Sequence, residues 1–146
     1  MPTVQRSAHV PYSAQQMFDL VNDIDSYPEF LHWCSGARIE QRRADAVEAS
    51  LDVGIAGLHR AFKTRNTLQE PNRISLALVS GPFRRLEGEW RFDDAPEGGS
   101  TVSLMLSFEV TFSPFGALFS RLFEEIASSQ MDAFIRRAAK VYGRAA

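Results

Sequence analysis

The chain has 146 residues, 45% apolar and 23% charged, with a net charge of −2, the length of one domain (expected to span 1–146) and the balance of an ordinary soluble globule. The acidic balance argues against a general nucleic-acid binder, so no DNA partner is expected. A single cysteine, Cys34, excludes an internal disulfide and any multi-cysteine metal site.

Thr3 to Val10 alternate weakly and read as a first strand, stopped by Pro11. Ser13-Ala14-Gln15-Gln16 has the form of a capping box, in which a hydroxyl and a side-chain amide satisfy free backbone N–H groups. The helix it opens places Met17, Phe18 and Val21 on one face and closes at Asn22-Asp23. Asp25 to Leu31 reads as a second short helix, with Pro28 tolerated near its start. Six strand patterns follow. Ala37 to Arg43 is the first, and Val47, Ala49, Leu51, Val53 and Ile55 mark the next. Arg60 to Gln69 is the third, and Ile74, Leu76 and Leu78 alternate on the fourth. Leu86, Gly88, Trp90 and Phe92 face one way on the fifth. On the last, Val102, Leu104, Leu106, Phe108, Val110 and Phe112 alternate with polar residues, the period of a half-buried strand. Ser113-Pro114 reads as the N-cap and first position of a final helix running from about Phe115 to Tyr142, with Gly143 just past its end. Phe119, Phe123, Ile126, Ala127, Phe134, Ala138 and Val141 form its apolar stripe.

Successive hairpins make an antiparallel sheet, and the one long amphipathic helix has only that sheet to bury its stripe against. The expected class is α+β: about seven strands curved around a long C-terminal helix, with two short helices after the first strand. A curved sheet around one helix leaves space, the expected ligand cavity. Eleven phenylalanines against three tyrosines and two tryptophans suit a large core or an apolar cavity. The polar start is no signal peptide, and no run of eighteen apolar residues spans a membrane, so the expected address is the cytoplasm, with peripheral contact at the inner membrane left open.

Catalytic signatures are missing. His9, His32 and His59 have no metal-ligand spacing, no serine lies in G-x-S-x-G, and Cys34 reads as a small buried thiol. Asp23 and Asp25 stand where a cap and a turn want carboxylates. No catalytic residue, metal or required cofactor is expected.

Three segments carry a family resemblance: Val21 to Cys34 (VNDIDSYPEFLHWC), Phe62 to Asn66 (FKTRN) and Gly81 to Phe92 (GPFRRLEGEWRF). Together they are similar to the coenzyme Q-binding protein and ribosome-association toxin (RatA) family, within the polyketide cyclase/START-like superfamily. The resemblance covers essentially the whole chain and implies the helix-grip fold. For function it implies either a polyprenyl quinone such as ubiquinone held in the cavity in support of respiration, or binding to the large ribosomal subunit. A cyclase or hydrolase, as elsewhere in the superfamily, would need an acid–base pair inside the cavity.

The candidate ligand-binding residues follow. Tyr27, Pro28, Phe30 and Trp33 either line the cavity mouth or plug the short helices onto the sheet edge. Phe62, Trp90, Phe119 and Phe123 stand where they are either ligand wall or plain core, and Phe83 and Leu86 are further candidate ligand contacts. Arg65 is either an inward donor to a quinone carbonyl or lipid headgroup, or a solvated charge. Arg84 and Arg85 beside Phe83 suit phosphate, in lipid or RNA. With Arg136, Arg137 and Lys140 they are the basic residues a ribosome contact would use. In an antiparallel meander, the apolar turns after the third, fifth and seventh strands fall at one end. That end is the expected cavity entrance, with Ile55, Phe83 and Phe115 exposed to a bilayer surface.

Overall fold

A computed structural model describes residues 3–55, 57–111 and 116–143, without the side chain of Ile55. The elements are β1 (Thr3–Val10), α1 (Ala14–Asn22), a 3-10 helix (Ile24–Glu29), β2 (Cys34–Arg42), β3 (Ala46–Ile55), β4 (Leu58–Gln69), β5 (Arg73–Ser80), β6 (Phe83–Asp94), β7 (Ser100–Val110) and α2 (Gly116–Tyr142). The strands form one seven-stranded antiparallel sheet in the order β1-β7-β6-β5-β4-β3-β2. The chain has the expected helix-grip fold.

The local signals explain most boundaries. Ser13 accepts from the Gln16 N–H at 3.1 Å, and Gln16 Oε1 accepts from the Ser13 N–H at 2.9 Å, so the capping box starts α1 where expected. Gly143 closes α2 with φ of 77°, and its N–H donates to the Ala139 carbonyl. Val102, Leu104, Leu106 and Phe108 are buried along β7, as alternation requires. The segment after α1 is 3-10 rather than α-helical: it has only six residues, and Pro28 brings no N–H to an α-helical ladder. β2 begins at Cys34, three residues ahead of Ala37, and pairs it with Val53. The proposed cap at Ser113-Pro114 and the last strand position Phe112 lie outside the described residues.

Two expectations need correction. Val141 is 50% exposed and leaves the core, while Met131 and Gly116 join the buried face of α2. Phe83, expected to be exposed in a turn, is buried inside the sheet. The β6–β7 register is irregular between Phe83 and Arg85, so Arg84 and Arg85 are both exposed and Phe83 turns to the same side as Leu86 and Trp90. Gly81 lets the chain turn there: its φ is 146°, and a Cβ would stand 2.6 Å from that of Phe62.

At the other end of the sheet, α2 is clamped by polar contacts. Tyr12 donates to the Gly143 carbonyl at 2.7 Å and Tyr142 donates to the Gln16 carbonyl at 2.7 Å, while the Ala14 N–H donates to Asp94 Oδ1 at 2.8 Å and ties α1 to β6. These bonds seal the end where the polar turns lie.

Candidate functional site: a cavity between sheet and long helix

Between the concave face of the sheet and α2 lies a cavity of about 90 Å³. Its floor comes from inward positions of five strands: Ala49 and Leu51 of β3, Phe62, Thr64 and Asn66 of β4, Ile74 and Leu76 of β5, Leu86 and Trp90 of β6, and Leu104 and Leu106 of β7. Phe123, Ile126, Ala127 and Gln130 of α2 form the roof, and Val21, Ile24, Tyr27 and Trp33 close one side. Period two on the strands and helical spacing on α2 put these residues on facing surfaces.

Two aromatic clusters bracket the space. Phe62, Phe83, Phe108, Phe119 and Phe123 pack with ring centroids 4.9 to 6.3 Å apart. They fill the end of the fold where the Gly81-Pro82 turn lies. Tyr27, Phe30, Trp90 and Phe134 form the second cluster, at 5.3 to 6.1 Å. Edge-on ring contacts of this kind hold both clusters firmly.

The lining is apolar except for a few side chains. Thr64 and Asn66 are buried on β4, and the Thr64 hydroxyl donates to Asn66 Oδ1 at 3.0 Å. Gln130 Oε1 accepts from Trp33 Nε1 at 3.2 Å. Tyr27 donates to the Val21 carbonyl, and burial pushes its phenol far above the ordinary tyrosine value. Among the described residues, no Asp, Glu, His, Lys, Arg or Cys lines the cavity. Cys34 lies outside the lining; its thiol donates to the Gly36 carbonyl at 3.3 Å and is pushed up to about 11, chiefly by burial.

The predicted ligand residues divide accordingly. Tyr27, Trp33, Phe62, Leu86, Trp90 and Phe123 meet around the cavity. Phe83 and Phe119 stand behind Phe62 and Phe123 as part of the aromatic plug. Pro28 is exposed, and Phe30 packs outside, under the Arg137 guanidinium at 4.9 Å. Arg65 is exposed on the outer face of β4, because alternation from Phe62 sends Thr64 and Asn66 inward and Arg65 out. That same alternation was the signal for Thr64 and Asn66; Gln130 had none, since its place depends on how α2 is rotated.

The surface residues divide as well. Arg84 is exposed; Arg85 is exposed and lies 3.3 Å from Glu87. Arg137, counted in the basic cluster of α2, is only 13% exposed in its side chain and bonds Glu29 at 3.1 Å. It braces the 3-10 helix against α2 and leaves Arg136 and Lys140 as the exposed cations of that stretch. Phe115 and the Ile55 side chain lie outside the described residues.

A shallow outer groove of about 360 Å³ runs between the segment Phe30 to Trp33 and α2, lined also by Glu125, Ile126, Ser129, Ala133 and Arg136. Trp33 and Ile126 line both this groove and the inner cavity. The Trp33 indole is therefore a partition between the two.

A family model described as polyketide cyclase/dehydrase and lipid transport matches residues 10–135. The chain belongs to that family. Within it, the ribosome association toxin RatA of Vibrio cholerae is 43% identical over 98% of this chain and 99% of its own length. The mitochondrial coenzyme Q-binding protein COQ10 homolog B of Xenopus laevis is 26% identical over 91% of this chain and 56% of its own. A START superfamily protein from Mycobacterium smegmatis shares the fold with a TM-score of 0.79 at 22% identity, covering 95% of this chain and 98% of that one. The family read from the three sequence segments is the family these comparisons show.

Proposed function

We propose that the chain is a carrier for a hydrophobic ligand, a polyprenyl quinone such as ubiquinone, held between the sheet and α2. The observation that carries this reading is the apolar cavity, whose described lining residues bring no charge. Sheltering an isoprenoid chain from water is favourable by roughly 25 cal/mol for each Å² buried. Among the described residues the lining offers no acid–base pair: the one titratable group, Tyr27, is locked to a backbone carbonyl. That supports binding over cyclisation or hydrolysis. The resemblance to a coenzyme Q-binding protein supports the choice of ligand.

A space of about 90 Å³ is well below the roughly 300–1,000 Å³ of ordinary ligand sites. The ligand therefore enters by displacing side chains. The partition at Trp33 is the place: swinging its indole from Gln130 joins the cavity to the outer groove. The entrance then lies beside the segment Phe30 to Trp33 rather than through the phenylalanine plug. The protein would collect its cargo by peripheral contact with the inner membrane from the cytoplasmic side. No described helix is long and apolar enough to cross a membrane.

Mass spectrometry of the organic extract of protein purified from a quinone-making host tests this. A polyprenyl quinone at near one per chain is expected, and an empty extract from folded protein would overturn the carrier reading. A second reading, association with the large ribosomal subunit, is favoured by the relative named for ribosome association. Arg84, Arg85, Arg136 and Lys140 would carry it, and co-sedimentation with large subunits should then fall steeply as salt rises.

A further inference from the structure

We propose that the amide nitrogens of Asn66 and Gln130 are the head-group site of the cavity and select a carbonyl-bearing ligand, the quinone over the hydroquinone. The inference rests on the reading of the cavity as a ligand site. Thr64 and Asn66 are 7% and 6% exposed. Their neighbours across the sheet are Ala49, Val47, Leu76 and Leu78, all apolar. A primary amide in such a place has donors to offer to whatever occupies the cavity.

Both amide oxygens are engaged: Asn66 Oδ1 accepts from Thr64, and Gln130 Oε1 accepts from Trp33. Both amide nitrogens, each with two N–H donors, have no hydrogen-bond partner among the described residues. One amide is buried on the sheet and the other is half-buried on the helix, and both residues line the apolar space. A ring carrying C=O groups accepts from such donors, whereas a hydroquinone brings two further donors that need acceptors. A plain hydrocarbon would offer the two amide nitrogens no acceptor. The Gln130 bond to Trp33 also ties this site to the partition through which the ligand passes.

Trp33 and Trp90 both line the cavity, so tryptophan emission reports occupancy. The protein is titrated with a benzoquinone bearing a ten-carbon tail, with its hydroquinone under argon, and with decylbenzene. The quinone is expected to bind about tenfold more tightly than either, the worth of one or two neutral hydrogen bonds. Asn66→Leu is expected to remove most of that preference. Should the variant misfold, the three-ligand comparison on the unaltered protein decides alone. Equal affinity for quinone and decylbenzene, or for quinone and hydroquinone, overturns the head-group site while the apolar carrier stands. Failure of all three to bind overturns both.

Discussion

Phe83 and Arg65 occupy short strand segments whose inward and outward faces differ by a single step. At Phe83 a register irregularity adds that step and brings the ring against Phe62, Phe108, Phe119 and Phe123. Replacing it with serine removes a fully packed ring, so Phe83→Ser should lower stability by about 3–5 kcal/mol in urea unfolding. A surface phenylalanine with a membrane role would show a change near zero. Near Arg65 the β4–β5 register shifts between Lys63 and Thr64, but the residue passed over is on β5, so alternation along β4 from Phe62 still turns the guanidinium to solvent. The cavity face of β4 was legible from the strand period, whereas the burial of Phe83 was not, because a bulge leaves no mark in the apolar pattern.

Elements in this fold start and stop by local chemistry. The capping box at Ser13 and Gln16 begins α1, and α1 carries Val21 into the cavity wall while Met17 and Phe18 fill the core behind it. Ser13→Ala should cost about 1 kcal/mol by thermal unfolding, with the fold unchanged. The cost is modest because tertiary packing of the buried face supplies most of the helix's stability. The long helix is different in kind. Its apolar stripe predicted burial of Phe119, Phe123 and Phe134. It did not predict that Phe123 would border the cavity while Phe119 joins the plug. Nor did it place Gln130 over the cavity, since a polar residue in mid-helix reads as solvent-facing until the facing strand residues are known.

For the whole molecule, the small cavity makes ligand binding and stability a single measurement. A ligand that binds only the folded state at a hundred times its Kd adds about 2.7 kcal/mol. For a chain of this size that is a rise in Tm of roughly 5–10 °C. A tailed benzoquinone should produce such a rise, and no rise at saturating concentration would argue against a bound state in the folded protein. The sequence by itself determined the strand alternation, the helix cap, the closing glycine and the family, because each depends on residues near one another in the chain. The tertiary structure decided which aromatic rings line the cavity and which plug it, and which amides face the ligand space. Those outcomes depend on the rotation of α2 over the sheet and on a one-residue irregularity in β6, and neither is set by any local run of residues.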